Sequence, residues 1–455
     1  MHNKKNNKSK YYVVLDIVGL DVSHLSSGLI PTISNIANNG EYGYLKPVFP
    51  SVTSTVQASV LSGEYPSKHG IISNGLYDRE NRQVLFWEQS AKLVQTERIW
   101  DVLKKKNSDI KTAVLFWQNT MFANSDYVIT PRPIHLENGS MDMWCYSRPP
   151  NYYEEVAQNI GEFDLYSYWG PFSSFKSTEW ISKSVEYTLE KITPNLLFAY
   201  LPQLDYSSQK YGPNSSQVVE DLKKIDEIVN SILKRIEKLG LIDETEFMLF
   251  SEYAFNNVSG AIPVNRILRE SGLLATRTIK DKEYIDFEYS KAFAVADHQV
   301  AHIFVNKPED KIYVKEILKE VQGIERICDD KEKQYLKIDN SRSGDLIAIS
   351  RRDKWFSYYW WKDDDKAPSF TKTVDIHRKP GFDPLELFID PQKKSIPFDT
   401  SLIKGSHGRP SDLETGEGLS TYISSKKLNT TNNNVFNGKN VMNCTDIFEI
   451  INKNF

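Results

Sequence analysis

Six short runs of apolar, β-branched and aromatic residues recur along this chain, separated by stretches with helical periodicity: Tyr11–Leu15, Thr112–Trp117, Asn195–Leu201, Glu246–Phe250, His302–Val305 and Leu346–Ser350. Several are apolar without alternation, a pattern that a strand tolerates only when both of its faces are covered. They predict an α/β fold with a mostly parallel central sheet flanked by helices. The clearest helix spans about Ser216 to Leu239. Val218, Leu222, Ile225, Val229, Ile232, Leu233 and Ile236 fall on one stripe there, and Gly240 supplies the stop. A last helix is expected over Asp446–Asn452, capped by Asp446 with Glu449 three residues on. The polar, Asn-rich stretch Ser424–Asn440 suits a surface loop. From about 268 to 400 the alternation weakens and aromatic and charged residues come in blocks. The expectation is one domain over residues 1–455 with an inserted cap in that region. The aromatic cluster Trp355–Trp361 suits packing or a cleft wall.

Composition narrows the function classes. A formal net charge of −4 gives no pull toward nucleic-acid polymers or anionic membranes. No segment approaches 18 consecutive apolar residues, and the run after the basic start MHNKKNNKSK is broken at Asp16. A soluble, cytoplasmic protein is therefore expected. Cys145, Cys328 and Cys444 match neither a disulfide framework nor a zinc-finger spacing. The N-x-S/T sequons at Asn138, Asn214, Asn257, Asn429 and Asn443 are then expected to be chance.

Ligands of open α/β sheets gather at the carboxyl ends of the strands. Asp16 ends the first run, Asp205 follows the third, and Glu252 and Tyr253 follow the fourth. Any one of these alone is more often a cap or turn residue, but three carboxylates at one edge suit a hard divalent cation. The segment FPSVTSTVQ, residues 49–57, leads a threonine out of turn residues into a short helix. That places the Thr53 hydroxyl near helix N–H groups that stabilise phosphate charge. Thr53 suits an N-cap equally well, and as a nucleophile it needs a metal to lower its pKa. KGSHGRP, residues 404–410, carries a glycine-flanked His407, a weak signal by itself.

Taken in order, these segments resemble the alkaline phosphatase superfamily, and within it the nucleotide pyrophosphatase/phosphodiesterase branch. The chain is also similar to a bacterial subgroup known only as alkaline phosphatase family proteins. The strongest match is the strand ending in Asp16, then FPSVTSTVQASVLSGEYPSKHGI with Thr53 at the nucleophile position, then Asn74-Gly-Leu-Tyr-Asp78. The Asp205 segment with its trailing Tyr-Gly-Pro, the Ser251-Glu-Tyr segment and the GSHG loop follow in the family's order, so the resemblance runs from Tyr11 to Pro410. It implies a metal-dependent hydrolase of phosphate esters, a phosphodiesterase or nucleotide pyrophosphatase acting on a small-molecule phosphoester or nucleotide. It also implies two divalent ions at the carboxyl edge of the sheet. One would be held by Asp16, Thr53 and the Glu252-Tyr253 pair, the other by Asp205, Gln209 and His407. Thr53 would attack phosphorus to give a phosphothreonine intermediate, and Asn74 would donate a hydrogen bond to a nonbridging oxygen.

Two positions depart from the family. Gln209 stands where the family has a metal-binding histidine, and Glu252-Tyr253 stands for its Asp-His pair. The remaining donors are richer in oxygen, which leans toward Mn²⁺ or Mg²⁺ over Zn²⁺. Among the eight histidines, His298 and His377, the latter with Asp375 beside it, are candidates to restore the ligand count. His69 suits a structural role, and His2, His24 and His135 lie apart. The alternatives are a phosphomonoesterase or another phosphoryl-transfer enzyme on the same fold, or a ligand-binding homologue with a weakened metal site.

Overall fold

The computed structural model describes residues 9–138, 140–428 and 434–455. The basic start with His2, and the sequon at Asn429, lie outside the described residues. Strand β1 (Tyr11–Ile17) lies inside a ten-stranded sheet, between β2 (Leu196–Leu201) and β3 (Thr245–Phe250), and is parallel to both. Thr112–Leu115 and Tyr127–Pro131 continue the parallel set beyond β2. Antiparallel strands stand on either side of that set: Cys145–Arg148 at one edge, Ser420–Ser424 beside β3. Every residue of β2 and β3 is buried, the reason these runs carry no polar alternation. Asp16 lies opposite Tyr200 on one side and Phe250 on the other, so the three strands end at one level.

Helix α1 (Thr53–Ser62), α2 (Gln203–Tyr211) and α3 (Ser216–Lys238) are the helices that matter to the site. The apolar stripe of α3 is buried as the periodicity requires, and its one conspicuous buried acid has a task. Asp226 accepts the N–H groups of Thr32 at 3.1 Å and Ile33 at 2.8 Å, capping the helix Pro31–Asn39, whose own N-cap, Ile30, makes no side-chain bond.

A second core packs around a four-stranded antiparallel sheet, β4 (Ala292–Asp297) and β5 (Val300–Val305) followed by Leu346–Ser350 and Ile324–Cys328. Trp355, Trp360 and Trp361 are buried in it. The runs His302–Val305 and Leu346–Ser350 thus belong to this sheet and not to the parallel one. An unbroken apolar run says that both faces are covered, but not which partner covers them. Three smaller expectations are corrected. The strand at Thr112 stops at Leu115, because Phe116 turns away at φ 63°. Thr445, not Asp446, precedes the last helix, and Asp446 accepts the Asn443 N–H instead. Within the expected loop, Ser424 still belongs to a strand and Val435–Phe436 pairs with Lys439–Asn443. Among the described residues no helix is long and apolar enough to cross a membrane.

Candidate active site

The site is built where the carboxyl ends of β1, β2 and β3 meet the start of α1. Val52 is extended, at φ −128°, and makes no side-chain cap, so Thr53 is the first helical residue rather than the cap. Its hydroxyl lies 3.1 Å from the Tyr253 hydroxyl, which in turn lies 3.1 Å from Asp205 Oδ1. A carboxylate only accepts, so Tyr253 donates to Asp205 and its oxygen receives the Thr53 proton. Gln209, one turn after Asp205 on α2, donates to Asp205 Oδ2 at 2.7 Å. Asp16 Oδ2 accepts from Gln57 Nε2 at 3.3 Å, and Gln57 Oε1 accepts the Gln118 N–H at 2.7 Å. The Glu252 carboxylate has Asp16, Gln57 and Thr53 as neighbours, yet neither of its oxygens has a donor in hydrogen-bond geometry.

The GSHG loop brings in His407 because two glycines let it approach. A side chain at Gly405 would meet the Ser208 carbonyl oxygen of α2 at 2.3 Å, and Gly408 sits at φ +116°. His407 Nδ1 donates to the Ser51 carbonyl at 2.8 Å, which leaves Nε2 as a bare acceptor 3.7 Å from Asp205 Oδ1. The Tyr253 ring stacks on the imidazole at 3.5 Å.

Burial sets the electrostatics. It pushes the Asp16 carboxyl well above the usual range, and the Glu252 charge adds to the push. It raises Glu252 to about 7. Burial also raises Asp205 to about 6, against the pull of His298, Tyr253 and Gln209. The Tyr253 phenol is driven well up by burial and then by the Asp205 and Glu252 charges, so it stays neutral. Burial and the neighbouring His298 drive His407 well down, which keeps it a neutral imidazole.

Five acceptor atoms are buried here without a donor: Asp16 Oδ1, both Glu252 oxygens, Gln209 Oε1 and His407 Nε2. Each unsatisfied buried acceptor costs about 1–3 kcal/mol, more when charged. A cation satisfies acceptors and nothing else, and a metal-ligating histidine characteristically donates its other N–H to a carbonyl, as His407 does. The donors therefore fit divalent ions: Asp16 and Glu252 with the Thr53 oxygen on one side, Asp205 and His407 with the Gln209 oxygen on the other. Among the described residues no three His, Cys, Asp or Glu side chains are arranged to hold a metal ion. Each side offers two such groups and one neutral oxygen.

Asn74 arrives on the segment that follows the short helix Pro66–His69. Its Oδ1 accepts the Ser54 N–H at 2.9 Å, directly beside Thr53. His298 also reaches the site, its ring 3.9 Å from that of His407 and 3.8 Å from Phe382. His377 and Asp375 do not join the donors. His377 is exposed and donates to the Phe86 carbonyl at 3.0 Å, while Asp375 pairs with Arg378. Charges in that run neutralise one another: buried Lys379 lies 2.8 Å from Asp383 and 2.7 Å from Glu386. His69 is structural, bonded to Ser59 at 2.8 Å inside the fold. The residue that the sequence reading passed over is Asp297, which accepts from Ser73, Asn74 and His298. Its only signal was its place beside His298.

The family model for type I phosphodiesterase / nucleotide pyrophosphatase matches residues 12–383. Ectonucleotide pyrophosphatase/phosphodiesterase family member 1 of Rattus norvegicus is 26% identical over 250 residues, 54% of this chain and 24% of that protein. The bis(5'-adenosyl)-triphosphatase of Homo sapiens is 24% identical over 245 residues, 53% of this chain and 46% of the relative. The chain thus spans about a quarter of the rat protein. Two solved structures share the fold. Phosphonoacetate hydrolase from Sinorhizobium meliloti 1021, in complex with phosphonoformate, has a TM-score of 0.63 at 14% identity, covering 98% of this chain and 96% of the other. Murine ectonucleotide pyrophosphatase / phosphodiesterase 5, an inactive threonine-to-alanine variant in complex with AMP, has a TM-score of 0.61 at 15% identity, with 98% and 94% covered.

Proposed function

Because this chain belongs to the type I phosphodiesterase / nucleotide pyrophosphatase family, we propose that it is a metal-dependent hydrolase of phosphodiesters or nucleotide pyrophosphates with Thr53 as its nucleophile. The observation that carries the reading is the ring of buried, donor-less acceptors around the Thr53 hydroxyl at a helix start. Asp16, Glu252 and Thr53 would hold one divalent ion, and Asp205, His407 and Gln209 the other. Bound there, such ions supply positive charge for the phosphate oxygens and lower the pKa of the threonine hydroxyl.

The chain's own groups do the rest. The Thr53 O–H points at Tyr253, and Tyr253 at Asp205, so the proton leaving Thr53 has a hydrogen-bonded path to a carboxylate. The freed oxygen attacks phosphorus, the ester bond to the leaving group breaks, and a phosphothreonine forms that water then hydrolyses. The inactive threonine-to-alanine form of the murine relative is consistent with a threonine in that role. The start of α1 and the Asn74 amide meet the nonbridging oxygens. A singly charged diester suits the site better than a doubly charged monoester. Asp16, Glu252, Asp205 and Asp297 crowd it with negative charge, and among the described residues no Lys or Arg hydrogen-bonds to any of the four.

Hydrolysis of bis(p-nitrophenyl) phosphate, p-nitrophenyl phosphate and nucleotides, each with Mn²⁺, Mg²⁺ and Zn²⁺, tests the reading. The diester is expected to turn over fastest; no turnover of any ester with any ion would sink it. Asn74→Ala should lower kcat/KM for the diester by about 10²–10³-fold, the usual cost of one oxyanion-type donor. An unchanged value would leave Asn74 a turn residue only. The second reading, a ligand-binding homologue with a weakened metal site, draws on the absence of three converging His, Cys, Asp or Glu side chains among the described residues. It predicts phosphate binding without turnover and without retained metal.

A further inference from the structure

The tip of the β4–β5 hairpin is the one piece of the second sheet that enters the catalytic centre. Asp297 and Val300 are paired across it, with His298 and Gln299 as its two-residue loop. Three bonds fasten this tip. The Gln299 N–H donates to the His407 carbonyl at 2.9 Å, the Phe356 N–H donates to the His298 carbonyl at 2.7 Å, and Gln299 Oε1 accepts from Asn256 at 2.9 Å. His298 itself sits at φ +57°, in the left-handed region that residues other than glycine seldom occupy. A strained backbone held by several bonds at a functional centre points to a task for the side chains it carries.

Asp297 is 1% exposed, and a carboxylate so buried is tolerated only when donors surround it. Here four do. Oδ2 accepts the Ser73 hydroxyl at 2.5 Å and the Asn74 backbone N–H at 2.9 Å. Oδ1 accepts Asn74 Nδ2 at 3.2 Å and His298 Nδ1 at 2.6 Å. The Asn74 side chain is therefore gripped at both ends, its oxygen by the Ser54 N–H beside the nucleophile and its nitrogen by Asp297. One N–H of that amide remains, and its direction is fixed by the other two bonds.

We infer that Asp297 is a positioning residue: it sets which edge of the Asn74 amide faces the phosphate and orients the His298 imidazole beside His407. This rests on the reading of Asn74 as a phosphate donor. It adds a residue from the second sheet that acts through two others and touches no substrate. Asparagine at this position has nearly the same shape but replaces one acceptor oxygen by a donor. Donor would face donor at Asn74 or at His298, and one of the two side chains must turn.

A double-mutant cycle on the full chain tests it, read by kcat/KM for bis(p-nitrophenyl) phosphate and by the calorimetric affinity for inorganic phosphate. Asp297→Asn should lower both by about 10–100-fold, the usual scale for a partner that orients a working group. In an Asn74→Ala background the same change should cost under about threefold, because the residue through which it acts is gone. Metal content per chain should not change. Equal losses in both backgrounds, or a loss under about threefold in the parent, would overturn the positioning role. Should Asp297→Asn fail to fold, Asp297→Ser keeps a small acceptor and runs through the same cycle. A parent that turns over the diester while Asp297→Asn matches it removes this role alone. A parent that neither hydrolyses any ester nor binds phosphate removes the phosphate reading, and this role with it.

Discussion

Thr53→Ala will lower kcat/KM for a phosphodiester by roughly 10³-fold or more, since removing a covalent nucleophile leaves only binding and electrostatic stabilisation. The fold should survive the change. Thr53 is the first residue of α1, is not its cap, and spends its hydroxyl on a single bond, to Tyr253. Losing that bond costs about 1 kcal/mol of stability. The control is Thr55, two residues on in the same helix, fully buried and with its hydroxyl unpartnered. Thr55→Ala removes a group that faces no reacting atom, so its effect on rate should be far milder. Rates and melting temperatures for the two variants decide the matter. Activity of Thr53→Ala within about tenfold of the parent would place the nucleophile elsewhere.

Stripping divalent ions with a chelator will abolish turnover, and the stripped protein will lose stability as the pH rises. The second effect follows from the direction of the carboxyl shifts. Glu252 goes from 4.5 to about 7 on burial, and Asp16 is raised well above its usual range by burial and by Glu252. An acid whose folded pKa lies above its unfolded one binds its proton more tightly when folded. Folding is therefore favoured at low pH and disfavoured as the pH climbs from about 4 toward 7. For Glu252 alone this is worth about 3 kcal/mol. Asp205, raised by burial to about 6, adds in the same sense. Bound ions reverse the balance, because they stabilise the ionised carboxylates and must displace their protons. Melting temperatures at pH 5, 6, 7 and 8, with and without chelator, provide the check. A stripped protein with a flat profile would mean that these carboxylates are compensated by something other than an ion. Asp16→Asn, which removes one of the two crowded charges, should flatten the stripped profile.

The parts that the sequence determined are those written in local order. Continuous apolar runs at Tyr11 and Leu196 required strands covered on both faces, and the stripe on Ser216–Lys238 required an amphipathic helix. Strand ends then placed Asp16, Asp205 and Glu252 at one edge, because parallel neighbours must finish at the same level. Short segments with their own turn chemistry, around Thr53 and in the GSHG loop, carried enough pattern to be read one at a time.

Partnership was decided elsewhere. His302–Val305 is as apolar as β2, yet it pairs antiparallel in the second sheet, and no local feature distinguishes the two. His298 and His377 looked equivalent as sources of an imidazole. Only the hairpin turn that lays one ring over His407, and the Lys379 ion pairs that occupy the other's neighbours, separate them. Tyr253 resembled a lost ligand, whereas burial beside two carboxylates keeps it a neutral phenol bridging Thr53 to Asp205. Asp297, 223 residues from Asn74 in the chain, had no local signature at all. A hydrogen bond over that distance is fixed by the packing of two sheets. Periodicity and turn chemistry act over a few residues and specify elements, while contacts between elements depend on burial and geometry that exist only once the chain has folded.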